Sequence, residues 1–364
     1  MTGRLWASGY RGLMEKVRRF TSSVLEPYER GVEFGRHHPA EVARTVAAYH
    51  ALFAAKATEP FDVEYWGQAA WQRICELTPT MAAEIRGIAD GAAVPVHEVA
   101  ALNARTELLA VVDPTGVDEC STVVSLPASR PPLAVQTWDW YDAMSDGWLH
   151  WTIPQPDGTV VETVTEYGVL GKIGVNSHGV GVLFNMLHHE NDAPGEIGFP
   201  VHLLSRQILD TAASIDDAIA TATAAKTSAS TSLTVVEGRA DEGAAVSIEL
   251  FPGGPGLLEP TAGLLVRTNH FVSETGRSGC LASARGPGSR LRRTTILDRI
   301  GARTPDTAGD VIEAMRHHAD LGSVCAHPDL GLEPVLRHAT LATVVVDPAN
   351  HRLQVTPGGP CAIA

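Results

Sequence analysis

Near Asp113–Glu119 the hydrophobic period of this chain changes from helical to strand-like, and that switch constrains the fold more than any other feature. Before it, from His38 to about Val112, apolar residues recur at Val42, Val46, Ala47 and Leu52, the spacing of one helix face. Further helical segments are expected at 65–77, 81–91 and 96–109, with Gly91 and Pro95 as punctuation. After the switch, short β-branched and aromatic runs follow at 121–126, 133–140, 160–165, 170–175 and 180–185, each bounded by Pro, Gly or Asp. Helices are expected at 200–209, from the Ser214-Ile-Asp-Asp217 capping signal onward, at 289–299 and at 307–317. Strands resume at 233–236, 245–251, 264–271, 340–346 and 353–355, and the Ala/Thr/Ser-rich stretch 221–232 reads as surface. Strands, helices and strands in that order suggest an α+β chain with sheets between helical layers.

Composition narrows the function. The formal charge is −14 over 364 residues, so a polyanion such as nucleic acid would bind against the field of the whole molecule. Mean hydropathy is +0.01 and no stretch reaches the ~18 consecutive apolar residues of a membrane span, so neither nucleic acid nor membrane is an expected partner. The basic residues among the first twenty lead into no apolar signal-peptide run, and a cytoplasmic protein is expected. Five cysteines, at 75, 120, 280, 325 and 361, make an odd set without close pairs, unlike a disulfide framework.

One of them, Cys120, stands where the first strand begins, in Glu119-Cys-Ser-Thr122. A thiol at the head of a strand lies near a chain turn with exposed backbone N–H groups, although a buried cysteine is also an ordinary small hydrophobe. Asp139, in Trp138-Asp-Trp140, places a carboxylate in an aromatic strand. Asn185 ends one strand and Asn269, in Thr268-Asn-His-Phe271, ends another, while Ser289-Arg-Leu-Arg-Arg293 opens a helix with a cationic cluster. Taken singly, each also reads as a turn acid, a turn amide, a helix cap or a solvated cation.

The order and content of these pieces resemble the acyl-coenzyme A:6-aminopenicillanic acid acyltransferase family of N-terminal nucleophile (Ntn) hydrolases. The likeness runs from Ile85-Arg-Gly-Ile-Ala-Asp-Gly91 and Leu102-Asn-Ala-Arg-Thr-Glu-Leu108 through Gly174-Val-Asn-Ser-His-Gly179. It continues to Val324-Cys-Ala-His-Pro328, Thr340-Leu-Ala-Thr-Val344 and Gly358-Gly-Pro-Cys361. The resemblance implies a four-layer αββα sandwich with a helical N-terminal segment, cut by its own nucleophile at Glu119–Cys120 into chains 1–119 and 120–364. Cys120 would then carry the acyl group of a small amide or acyl-coenzyme A as a thioester, with its new α-amino group as base. Asp139 would hold the protonated amine, Asn269 would donate to the oxyanion and Arg290 would orient or acidify the thiol. Ser289 would assist self-cleavage, Arg292 is the alternative to Arg290 if the register differs, and Asn185 is a second oxyanion or substrate contact. No cofactor is implied; coenzyme A enters as a carrier, and the two chains of the precursor stay together.

Two departures stand out. The penicillin-forming relatives place glycine before the nucleophile, where this chain has Glu119; that residue motivates the alternative of an unprocessed, non-catalytic binding or assembly module that retains the fold. The bile-salt and penicillin V branch has an arginine ahead of the aspartate, where this chain has Gln136, which favours the acyltransferase-like branch. A papain-like reading lacks the sequence around Cys120 that it needs. No metal site is expected: adjacent pairs such as His317-His318 diverge by ~100° on a helix, and Cys325 with His327 lacks a second pair nearby in sequence.

Overall fold

The computed structural model describes residues 17–113, 120–128, 130–193, 195–239, 242–283 and 287–363. Among the described residues a short strand, β1 (Arg19–Thr21), comes first, followed by six helices: α1 (Pro27–His37), α2 (Pro39–Lys56), α3 (Val63–Leu77), α4 (Pro79–Ala92), α5 (Val96–Asn103) and α6 (Arg105–Val112). Six strands follow, β2 (Ser121–Ser125), β3 (Leu133–Tyr141), β4 (Trp148–Pro154), β5 (Val160–Glu166), β6 (Ile173–Asn176) and β7 (Val180–Met186), then α7 (Val201–Thr211) and α8 (Ile215–Ala224). Next come β8 (Thr231–Arg239), β9 (Glu242–Leu250), β10 (Gly256–Leu258), β11 (Leu264–Arg267), α9 (Glu274–Arg277), α10 (Gly288–Ile300), α11 (Ala308–Met315), β12 (His338–Asp347) and β13 (Arg352–Pro357).

The strands form two sheets. One runs β1-β4-β5-β6-β7-β8-β9-β10 and the other β11-β2-β3-β12-β13. Among the described strands all pairings are antiparallel except β1 with β4; short connections join pairs such as β4–β5 and β8–β9, whereas β3 and β12 meet from distant parts of the chain. Period 2 sorts the side chains: along β3, Ala134, Trp138 and Trp140 enter the core between the sheets, whereas Val135 joins Ile296, Val311 and Met315 beneath α10 and α11. Helices α7 and α8 cover the outer face of the larger sheet. The α+β, four-layer αββα architecture with a helical N-terminal region is therefore present. Among the described residues no helix is long and apolar enough to cross a membrane.

Several elements differ from the sequence reading. Gly91 does not end a helix; it lies inside α4, which stops at Ala93 in the left-handed region (φ 57°). Gly31 and Gly35 on α1 face Gly87 and Gly91 on α4 so closely that a Cβ on Gly31 would sit 2.1 Å from Glu84 O and one on Gly87 2.1 Å from Tyr28 O. These glycines let two backbones touch. Helix α1 escaped the pattern because its buried face is made of Arg30, Gly31 and Gly35 besides Val32 and Phe34. The expected helix 96–109 is two helices separated at Ala104. Strands β1 and β4 carry no strand signal in the sequence, since β1 has only three residues and the aromatic run of β4 lacks alternation. The stretch 221–232 is not surface at its end: Ser228, Ser230, Thr231 and Ser232 are buried where β8 begins, with small polar side chains satisfied locally, as in the Ser232–Ser247 hydroxyl pair at 2.6 Å.

Buried charges fasten the helical third to the sandwich. Arg30 on α1 forks onto Glu84 of α4 (2.7 and 2.9 Å), and Arg206 of α7 reaches the same carboxylate at 3.1 Å and Asp210 at 2.7 Å. Arg105 of α6 meets Glu166 of β5 at 2.5 Å, and Tyr49 of α2 hydrogen-bonds that carboxylate too. Breaking such a pair from one side leaves a buried charge uncompensated.

Glu107 on α6 accepts from the first N–H of α7, Val201 N, at 2.8 Å. Burial, reinforced by Asp192 against the opposing pull of Val201 N–H and Arg105, pushes its carboxyl up to about 8. A group protonated in the fold and ionised in the unfolded chain destabilises the fold as pH rises from 4.5 to about 8. Glu107→Gln is expected to flatten that slope in urea unfolding measured from pH 5 to 8; an unchanged slope would contradict it.

Candidate active site

Cys120, 5% exposed, stands at the head of β2 with its thiol donating to the backbone carbonyl of Asp139 at 3.5 Å. Register explains the meeting: β2 pairs with β3 so that Ser121 lies opposite Thr137, which brings the start of one strand beside Asp139 near the end of the other. Thr137 Oγ1 accepts from Ser121 N at 3.1 Å and donates to the Asp139 carboxylate at 3.4 Å.

The backbone of Cys120 is clamped from two layers. Asn185 of β7, in the opposite sheet, donates its amide to Cys120 O at 3.2 Å and is itself oriented by Thr122 Oγ1, which donates to Asn185 Oδ1 at 2.7 Å. From the other side, Arg292 of α10 donates to Cys120 O at 2.9 Å, to Ser121 Oγ at 3.2 Å and to Asn269 Oδ1 at 3.0 Å. Asn269, just beyond β11, donates one amide N–H to Met186 O at 2.9 Å. The site thus lies where β2 and α10 begin and β3, β7 and β11 end. A thiol whose backbone is fixed on both sides, with amide donors and a carboxylate close by, has the group types that acyl transfer uses.

Of the expected residues, Cys120, Asp139, Asn185, Asn269 and Arg292 are brought together. Arg290 is not the arginine of the clamp: α10 turns it to the exposed side, and the buried guanidinium two positions on is the one that reaches Cys120. Ser289 hydrogen-bonds His270 Nδ1 at 2.8 Å and Thr268 Oγ1 at 3.1 Å, joining the start of α10 to the end of β11. Glu119, with the scissile bond it would contribute, lies outside the described residues.

Two contributors were missed. His270 sits in the quoted Thr-Asn-His-Phe run, where its neighbours were the signal; burial first, then Arg267, Arg290, Arg293 and Arg292, hold its imidazole down to about 3, so it faces Ser289 and Thr268 neutral. Lys172 is buried with its ammonium 4.1 Å from the Trp138 ring centroid and 5.4 Å from that of Trp140, an aromatic enclosure that no sequence spacing announces. Trp138 and Trp140 line that enclosure, whereas Trp151 packs on Phe34 with ring centroids 4.4 Å apart, as core. A cavity of about 200 Å³ opens elsewhere, lined by Glu41, Arg44, Met144, Asp146 and Tyr167 among others.

Residues 128–361 match the model of a family described as acyl-coenzyme A:6-aminopenicillanic acid acyl-transferase. A protein of Emericella nidulans, the 40 kDa form of acyl-coenzyme A:6-aminopenicillanic-acid-acyltransferase, is 32% identical over 186 residues, 50% of this chain and 51% of that one. The match therefore spans about half the length of that relative. Among solved structures, a Caenorhabditis elegans ortholog of N-acylethanolamine-hydrolyzing acid amidase is similar over 65% of this chain and 100% of its own, with TM-score 0.46 and 13% identity. Penicillin V acylase from Agrobacterium tumefaciens is similar over 65% of this chain and 83% of its own, with TM-score 0.45 and 15% identity. With well over half of its residues inside the family match, the chain belongs to the acyl-coenzyme A:6-aminopenicillanic acid acyl-transferase family.

Proposed function

We propose that this protein is an amidohydrolase or acyltransferase that first cuts itself at Glu119–Cys120 and then carries the acyl group of a small amide as a thioester on Cys120. The observation that carries this reading is the clamp on Cys120 O by Asn185 and Arg292, which holds a buried thiol at the head of a strand. In self-cleavage the Cys120 sulfur attacks the Glu119 carbonyl, the peptide nitrogen leaves as the α-amine of Cys120, and water releases the Glu119 carboxylate from sulfur. An α-amine near pH 7.7–8 beside a thiol near about 8.5 is matched to take its proton at neutral pH.

In turnover the thiolate attacks the substrate carbonyl, the amine or coenzyme A thiol departs with the proton, and water or an amine acceptor regenerates the thiol. Asp139 stabilises the ammonium form of the α-amine, and Asn269, oriented by Arg292, supplies an amide toward the oxyanion. Arg292 replaces Arg290 in the orienting role. The halves 1–119 and 120–364 remain associated through β1 in the larger sheet and through the Arg30–Glu84–Arg206 and Arg105–Glu166 contacts.

The test is a set of acyl-coenzyme A thioesters and N-acyl amides of graded chain length, each mixed with the protein and quenched in acid. The expected result is a base-labile acyl mass on Cys120 for at least one donor. Adducts equally abundant on the Cys120→Ala variant, or none with any donor, would contradict the reading.

A further inference from the structure

Away from Cys120, three chain segments converge beyond the end of α11. His318 follows that helix, Cys325 and His327 lie in the next loop, and Cys361 sits in the turn after β13. His318 Nε2 and His327 Nε2 are 3.0 Å apart, Cys361 Sγ is 3.5 Å from His327 Nε2, and the three donor atoms all lie within 4.8 Å of one another. The nearby Cys325 is buried and its thiol donates to Met315 O at 3.6 Å.

These distances fit a particular occupant. Tetrahedral zinc, with Zn–N of about 2.0–2.1 Å and Zn–S of about 2.3 Å, sets ligand nitrogens roughly 3.3 Å apart and a nitrogen and sulfur roughly 3.6 Å apart. Imidazole and thiolate without a carboxylate suit zinc and not magnesium or calcium. The scaffold beneath is already tied down: Val324 N and Cys325 N donate to His317 O at 3.2 and 3.0 Å, Thr340 N donates to Ala326 O at 3.0 Å, and Gly358 N donates to Leu341 O at 2.9 Å. All three donors are exposed, so an ion reaches them from solvent.

We propose that His318, His327 and Cys361 bind one zinc ion, with the fourth coordination position open to solvent. The ion joins the turn after β13 to the loop before β12. Thr340 at the start of that strand is paired in register with Asp139, so the site braces the strand next to the carboxylate of the catalytic cluster. Sequence spacing hid it because Cys361 lies 34 residues beyond His327.

The experiment uses the full-length protein, stripped with a chelator under reducing conditions and titrated with Zn²⁺ against a chromophoric competitor, and in parallel with Co²⁺. One ion per chain is expected, together with thiolate-to-cobalt charge-transfer absorption. Affinity should fall by roughly 100-fold or more in His327→Ala and in Cys361→Ser, each of which removes one of three ligands, while Cys75→Ser binds as the wild type. Equal binding by all variants, no retained zinc, or a non-reduced protein two hydrogens lighter through a Cys325–Cys361 disulfide would overturn the proposal. None of these readouts depends on acyl transfer, so the site stands or falls separately from the proposed activity.

Discussion

Cys120→Ala is expected to abolish acyl-adduct formation and turnover while leaving a folded protein. The thiol is the only protein group in the proposed reaction that forms a bond to carbon, and deleting a hydrolase nucleophile costs on the order of 10⁶-fold. Its structural share is small: it packs as one small side chain in the inter-sheet core and donates one sulfur hydrogen bond of 3.5 Å. A stability loss of about 1 kcal/mol is the corresponding expectation. Donor consumption measured with and without the substitution, alongside urea unfolding of both proteins, separates the two effects. Activity that survives in a folded Cys120→Ala protein would remove Cys120 from the mechanism.

Arg292→Leu is the second large effect. Its guanidinium is 1% exposed and organises three acceptors at once: Cys120 O, Ser121 Oγ and Asn269 Oδ1. Hydrogen bonds from a charged donor are worth about 1.5–3 kcal/mol each, and leucine leaves all three acceptors without it. Cys120 O keeps Asn185, and Asn269 keeps its tether to Met186 O, so the fold persists but the amide of Asn269 loses its orientation. Acylation is expected to slow by about 10²–10³-fold, the effect of disabling an oxyanion donor. Arg292→Lys should recover only part of the rate, because one ammonium cannot reproduce a planar fork. Arg290→Leu, on the exposed side of the same helix, is the comparison: a larger loss there than in Arg292→Leu would contradict the placement.

The parts of this molecule that were legible in its sequence are those governed by period and order. The switch after Val112, the alternation along β3 and the ordered Glu-Cys, Trp-Asp, Thr-Asn and Ser-Arg pieces led to the four layers and to most of the cluster around Cys120. What stayed hidden depends on three-dimensional approach. Gly91 reads as a helix stop on paper and becomes a helix contact only when α1 lies against it. Arg290 and Arg292 both follow Ser289, and only the direction in which α10 turns decides that the second one is buried. Lys172 has no motif around it, and its aromatic surroundings come from two different sheets. Cys325 and His327 have no second pair nearby in sequence, and the thiol that meets His327, Cys361, comes only after two further strands.

The most direct test of the central claim is the intact mass of the denatured, freshly purified protein beside its Cys120→Ala variant. The account predicts two fragments in the wild type, residues 1–119 and 120–364 with Cys120 as the new N-terminus, and one uncut chain in the variant. A single intact mass for the wild type in a preparation that turns over amides, or a cut at the same bond in the variant, would contradict it.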